Sequence, residues 1–370
     1  LSLCLSCKAC KSECPVQVDM AQYKAEFLAQ RYKGRRHPLQ HYIFGFADKM
    51  ARFGSHVPGL TNAILNGPLT SPLIKRIAGV AKQRKLPELA PQPWTKARQL
   101  SPYAANLGAP GLDPETWETK KPAPPPQVVV LWPDTWNNYY HPQSLTAAES
   151  LLTEAGFRVT TADRHICCGR PLYDFGLLDH ARAYLKDVLD RMAPQIDAGL
   201  PFVFLEPSCA SVFRDELPEL FPDNPRARRL RDSVSLLADF LADQAPAFAA
   251  DRLAGKRILI HGHCHHKAVF GGPKAEVALL RQAGADVQMI EAGCCGMAGP
   301  FGFEADKFEV SQTIANQRLL PAIEKASSDT ILVADGFSCR EQIDQLGHRR
   351  AKHFAEALAV DPVTPTPESY

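Results

Sequence analysis

No stretch of this 370-residue chain holds the roughly 20 consecutive apolar residues that a membrane-spanning helix needs. Its start also lacks the basic-then-apolar layout of a secretory signal, so neither an integral membrane nor a secreted protein is expected. No G-x-G-x-x-G follows a strand-like run and no P-loop occurs, which removes the usual signatures of dinucleotide and phosphate binding. Nor does one charge dominate, since 42 basic residues face 40 acidic ones. At 45% hydrophobic and 22% charged, the composition is that of a globular chain long enough for two or three domains. The chain opens on Leu1 rather than Met, with a cysteine motif from Cys4, and reads as a C-terminal fragment of a larger polypeptide.

The small net charge hides two unlike parts. Residues 1–100 carry 16 basic against 5 acidic side chains, a net +11, and residues 101–370 carry 26 against 35, a net −9. Residues 87–126 hold ten prolines in forty positions, which is linker composition. Before the linker, Met20, Tyr23, Phe27 and Leu28 recur at helix spacing behind a cap at Asp19 and stop at Gly34. Leu39, Ile43, Phe46, Met50 and Phe53 predict a second helix from Pro38 to Gly54, and a weaker one covers Leu69 to Val80.

After the linker, short apolar runs alternate with helical stretches, first Val128-Val129-Val130-Leu131 and then Leu145 to Ala155, the texture of βαβ units. The same order then returns. Ile258-Leu259-Ile260 repeats Val128-Val129-Val130, Cys294-Cys295-Gly296 repeats Cys167-Cys168-Gly169, and Ser338-Cys339 repeats Ser208-Cys209, at offsets of 130, 127 and 130 residues. We therefore expect a duplicated α/β domain with parallel sheets, one repeat over 127–250 and another over 251–360, followed by a tail over 361–370.

The 11 cysteines fall in tight groups separated by long cysteine-free stretches, a distribution that suits metal or redox chemistry better than a disulfide scaffold. Cys4, Cys7, Cys10 and Cys14, followed by Pro15, read C-x2-C-x2-C-x3-C-P, the ferredoxin-type spacing for a cubane 4Fe-4S cluster. Three thiolates then face one cluster and the fourth faces elsewhere. Only one copy of the motif is present, so its missing partners are expected before Leu1. Zinc and a redox C-x-x-C pair remain as alternatives. Residues 1–86 are accordingly expected to form an α-helical, ferredoxin-like iron–sulfur domain.

Chance would supply roughly 0.02 Cys-Cys-Gly triplets in a chain of this composition, and two occur. In the second repeat Cys264, Cys294, Cys295 and Cys339 each stand near the end of a predicted strand, where open α/β sheets place ligands, so four thiolates converge on a cluster or a zinc ion. The first repeat keeps Cys167, Cys168 and Cys209, but Asp134 stands 130 residues before Cys264. A carboxylate is a harder ligand than a thiolate, so that repeat either holds a metal or is a decayed structural half. One histidine among His261, His263, His265 and His266 is expected to act at the site, with His263 and His265 put forward as ligands. Arg170, Arg340, Tyr139, Tyr140 and Glu304 flank the motifs and line either a docking surface or ordinary packing. Two basic clusters, Arg31, Lys33, Arg35 and Arg36, then Lys82, Arg84 and Lys85, read as solvated charge suited to an acidic partner or a membrane surface. No nucleic-acid partner is expected, because no recognition motif accompanies them.

Together these motifs resemble the iron–sulfur portion of FAD-linked 2-hydroxyacid dehydrogenases, over nearly the whole chain. They are similar to the glycolate oxidase iron–sulfur subunit and to the B-type modules of heterodisulfide reductase. The runs Cys4 to Pro15, His261 to Lys267 and Cys294 to Gly299 resemble, more narrowly, the C-terminal region of single-chain fusions that begin with an FAD-binding oxidase domain. The resemblance implies that a flavin domain, upstream or on a partner subunit, oxidises D-lactate, glycolate or D-2-hydroxyglutarate. Electrons would then leave through this chain's clusters to a quinone, cytochrome or other acceptor, in the cytoplasm or at the inner face of the membrane. Reductase modules end in C-x-x-C, whereas Val212 and Gln342 stand three residues after Cys209 and Cys339. Thiol–disulfide catalysis at the second Cys-Cys-Gly site is the alternative function.

Overall fold

The computed structural model describes residues 1–100, 127–246, 248–249 and 251–359. Most of the expected linker and the expected tail lie outside the described residues. Two parallel sheets carry the fold. In the first, β1 (Val128–Leu131), β2 (Arg158–Thr160), β3 (Phe202–Phe204) and β4 (Val234–Leu236) lie in the order β2-β1-β3-β4. In the second, β5 (Arg257–Ile260), β6 (Asp286–Met289) and β7 (Ile331–Val333) lie in the order β6-β5-β7. Each repeat thus opens on its central strand, and the duplication read from the motifs is a duplication of topology. Where β4 pairs with β3, a single parallel bridge from Val333 to Lys352 stands in the second repeat.

The strand sequences account for this placement. Val129, Val130 and Leu131 are fully buried, as a parallel strand covered on both faces requires, whereas Asp286, Gln288 and Met289 are exposed on an edge. Val129, Leu131 and Val203 of one sheet share an apolar cluster with Ile258, Ile260 and Val333 of the other. The two repeats therefore close around a common core. Trp94 joins the same core from the segment assigned above to the linker. Around it, Ala90 N donates to Tyr139 O at 2.8 Å, and Arg98 pairs with Glu149 at 2.6 Å.

Residues 9–78 form six helices: Ala9–Glu13, Met20–Arg31, Leu39–Gly45, Ala47–Gly54, Pro58–Asn66 and Ser71–Ala78. Asp19 caps the second as expected, its carboxylate accepting from Ala21 N and Gln22 N. The expected helix from Pro38 to Gly54 is instead two, broken at Phe46. The expected apolar faces are only partly the buried ones. Met20, Tyr23, Phe27, Leu39, Met50 and Phe53 are exposed, Leu28, Ile43 and Phe46 are half-buried, and Ala21, Ala25 and Ala51 are buried. On the first of these helices close approach is the reason: Gly176, at φ +70°, lies so near Met20–Arg31 that a Cβ there would sit 2.6 Å from Ala29 N and Leu28 Cβ and 2.8 Å from Ala25 O. Arg84 corrects a second expectation. It is 1% exposed, donating to Gly302 O, Ser311 Oγ and Gln342 Oε1, and so is no part of a solvated basic cluster.

Candidate metal centre

The second repeat gathers its cysteines at the ends of its strands. Cys264 begins the helix Cys264–Phe270 after β5, Cys294 and Cys295 lie in the loop after β6, and Cys339 sits in the helix Phe337–Gly347 after β7. The four thiols act on one another in sequence, Cys294 on Cys264 and Cys295, and Cys339 on Cys295. The neighbouring Cys294 thiol lowers that of Cys264 to about 6, and Cys294 with Cys339 holds Cys295 below the usual thiol range. Both therefore favour the thiolate, the form in which cysteine binds metal.

Ligand atoms of His261, Cys295 and Cys339 all lie within 4.8 Å of one another, as do those of His263, Cys264 and His265. Neither ring nitrogen of the buried His261 has a nitrogen or oxygen partner among the described residues. Two glycines make the room. Gly296, at φ +90°, carries no Cβ that would strike Ser311 O at 2.4 Å, and a Cβ on Gly336 would lie 2.2 Å from His263 Cδ2. Four buried or half-buried thiols backed by histidine form a soft donor set that fits an iron–sulfur cluster or zinc.

The N-terminal cysteine motif packs directly on this centre. Cys264, Cys4 and Cys10 are the thiols whose charge bears on Cys7, which burial chiefly raises. Cys10 Sγ accepts from Met20 N at 3.3 Å. Cys14 stands apart: backbone N–H groups of Val18, Val16 and Gln17 lower its thiol, and no cysteine is among the groups that bear on it. The turn carrying Cys7 is anchored at both sides. Ser6 O lies 2.9 Å from His265 Nε2 and accepts from Arg170 Nη2 at 3.2 Å. Lys8, 1% exposed, meets Asp19 at 2.9 Å, Asp215 at 2.5 Å and Glu216 at 2.9 Å.

In the first repeat Cys168 and Cys209 stand 3.0 Å apart, and Gly169 N donates to Cys167 Sγ. Asp134, at the place of Cys264, is a helix cap instead. Its Oδ1 accepts from Trp136 N and Asn137 N and its Oδ2 from Asn137 Nδ2, while burial pushes it up to about 6. Both oxygens of that carboxylate are thus engaged in the cap.

All four histidines around Cys264 are buried, so none faces solvent. His263 Nδ1 accepts from His265 N, and His266 Nδ1 lies 3.1 Å from Glu276 Oε1. Arg170, Arg340, Tyr139 and Glu304 are buried as well. Arg170 pairs with Glu216 at 2.5 Å and Asp174 at 3.2 Å, and Arg340 donates to Asn137 Oδ1, so both serve packing between elements. Asp215 and Glu216, which fix Lys8, went unnoticed in the sequence because no spacing links them to the cysteines.

The family described as CCG, a cysteine-rich domain, matches residues 258–344, the segment holding all four thiols of the second repeat. The chain is 28% identical over 359 residues to the D-2-hydroxyglutarate dehydrogenase of Pseudomonas putida, covering 96% of this chain and 33% of that protein. It is 26% identical over 369 residues to that of Escherichia coli, covering 97% and 34%. It is also 29% identical over 231 residues to one subunit of the anaerobic glycerol-3-phosphate dehydrogenase of Escherichia coli, covering 60% of this chain and 57% of that subunit. The chain thus spans about a third of the length of the D-2-hydroxyglutarate dehydrogenases it matches. The CCG match is confined to residues 258–344, and the resemblance to hydroxyacid dehydrogenases drawn from the cysteine motifs holds across the chain.

Proposed function

We propose that this chain is the iron–sulfur electron-transfer module of a FAD-linked 2-hydroxyacid dehydrogenase, of the D-lactate, glycolate or D-2-hydroxyglutarate class. The observation that carries this reading is the packing of the Cys4–Cys10 turn on Cys264, which joins the ferredoxin-type motif to the second Cys-Cys-Gly centre. The dehydrogenase names of the relatives support it. Cys4, Cys7, Cys10 and Cys14 are the ligands of the ferredoxin-type domain, and Cys264, Cys294, Cys295 and Cys339 hold a second cluster or zinc. Iron–sulfur clusters bound there supply one-electron carriage, which a flavin that has taken up an electron pair needs downstream. The chain's own residues hold the geometry. Lys8 and Arg170 fix the turn, and the two sheets wall the thiols from water. The flavin domain is upstream or on a partner subunit, and the module works in the cytoplasm or at the inner face of the membrane. Among the described residues no helix is long and apolar enough to cross a membrane.

Iron, zinc and acid-labile sulfide counted per chain in anaerobically prepared protein test the proposal. Iron with matching sulfide that falls in Cys264→Ser and Cys294→Ser is the expected result. Zinc without sulfide at the second repeat would refute a relay through it, and metal-free protein after reconstitution would refute the relay altogether.

A further inference from the structure

Arg84 is a buried cation without a carboxylate partner. Its three hydrogen bonds go to neutral oxygens: Nε donates to Gly302 O at 2.7 Å, and Nη2 to Ser311 Oγ at 3.0 Å and Gln342 Oε1 at 2.7 Å. Its Nη1 is buried with no hydrogen-bond partner among the described residues. The rings of Phe303 and Phe308, with centroids 5.9 and 5.0 Å from the guanidinium carbon, cover it but carry no charge. An unpaired buried charge is costly, so a buried cation is expected to face an anion. Burial accordingly lowers Arg84 to about 10, and first among the charges that oppose the fall is Cys295, followed by Glu341.

Gln342 carries the contact onward. With Oε1 held by Arg84, its Nε2 donates to Cys295 O at 3.0 Å and to Ser311 O at 3.3 Å, and a Cβ on Gly296 would meet that same Nε2 at 3.1 Å. The Cys294–Gly296 loop therefore rests on the guanidinium through one side chain. The first repeat is built differently. Arg170 follows its Cys-Cys-Gly triplet and pairs with Glu216 and Asp174, whereas Met297 stands at that place in the second repeat. The cation comes instead from the N-terminal part, on a segment fastened to the repeat by Ala305 N to Gly79 O at 2.9 Å and Ala81 N to Phe303 O at 2.7 Å. Four thiolates outnumber the charge of a zinc ion or of a cubane core, so the loaded centre is negative. We infer that Arg84 is a positioning residue for the second Cys-Cys-Gly centre, its guanidinium serving as the counter-charge of the metal-bound thiolates. The inference rests on the metal-binding reading proposed above and holds for either metal. At a cluster, a nearby cation favours the reduced, more negative form and so raises the potential.

Arg84→Lys and Arg84→Met give side chains of similar length that both lack the planar fork, so packing is lost alike and the charge in only one. Both are compared with the wild type in the anaerobically reconstituted full chain, by a potentiometric titration of the paramagnetic signal that Cys339→Ser removes. The expected result is a midpoint in Arg84→Met below that of Arg84→Lys by about a tenfold change in the oxidised-to-reduced ratio, or about 59 mV for one electron. Lys85→Met, at an exposed neighbour paired with Glu88, should leave the midpoint in place. Equal midpoints in the two Arg84 variants overturn the inference and make Arg84 a packing residue, with the relay intact. If the second repeat holds zinc, the relay through it falls, and the same pair is read by competition with a chelator. Zinc held about tenfold less tightly in Arg84→Met than in Arg84→Lys then supports the counter-charge, as does metal lost from Arg84→Met alone, and equal retention overturns it. If neither variant folds with metal, Gln342→Glu keeps the guanidinium and pairs it with a carboxylate; a midpoint or zinc affinity equal to that of the wild type overturns the inference, and a lowered one supports it. A wild-type second repeat that takes up no metal overturns it as well.

Discussion

Replacing Lys8 with methionine keeps the length of a side chain that is 1% exposed and removes its charge from among three carboxylates. Burial alone would lower the Lys8 ammonium, but Glu216 and Asp215 outweigh it and hold the charge in place. In the variant Asp19, Asp215 and Glu216 lose that partner, and Glu216, 0% exposed, keeps only Arg170. Breaking a buried ion pair by removing one partner costs about 3–5 kcal/mol, which at about 2–4 °C per kcal/mol lowers the thermal midpoint by about 10 °C. The pH dependence separates this cause from lost packing. In the wild type Asp19 and Asp215 are held below the usual carboxylate range, so the stability they add is present above about pH 4 and fades below it. In the variant the carboxylates take up protons more readily, so its deficit is largest near neutrality and shrinks toward pH 4. Thermal melts of wild type, Lys8→Met and Lys8→Arg across that range provide the assay. A variant that melts with the wild type at neutral pH, or a deficit independent of pH, would refute the reasoning.

Gly296→Ala places a Cβ 2.4 Å from Ser311 O at φ +90°, so we expect a loss of about 1–3 kcal/mol in chemical unfolding and a fall in bound iron from the second repeat alone. Glu276 and Asp335 are each pushed up to about 7, by burial first, and for Asp335 by the Glu276 charge next. Because both bind protons more tightly folded than unfolded, their contribution to stability is complete below about pH 4 and declines as pH rises through 7. Glu276→Gln should flatten that decline in melts from about pH 5 to 8; an unaltered slope would show that this pair does not titrate as a unit.

The sheets were the legible part of the fold. A strand buried on both faces must be apolar throughout, and Val128–Leu131 and Ile258–Ile260 could hardly be anything else. The offsets then placed Cys264, Cys294, Cys295 and Cys339 together, since equal strands in equal order put equal loops in equal places. The N-terminal helices were legible as helices but not in their facing. Periodicity gives weight to large apolar residues, whereas the backbone around Ala25 and Ala29 is what comes close to Gly176, and Ala25 is the buried residue there. Arg84 looked like its neighbours Lys82 and Lys85, because nothing local marks which cation will meet Gln342, 258 residues away. The contact of Ser6 with His265 was illegible for a related reason: each lies in a cysteine motif, but nothing in either motif says that the two meet across 259 residues. Asp134 was visible as an exception, and the structure supplied its use as a cap.

That long contact has a consequence for how the chain is made. The Cys4–Cys10 turn leaves the ribosome some 260 residues before His265, which must be present to receive Ser6. At about 5–20 residues per second the turn waits for roughly 10–50 s with its anchoring site unmade. Over that interval Cys4, Cys7 and Cys10 are open to solvent, oxidants and adventitious metals, and Lys8 has none of its partners beyond Asp19. Synthesis in air should therefore damage the N-terminal thiols sooner than the Cys-Cys-Gly centre, whose strands and ligands are completed within about 80 residues of one another.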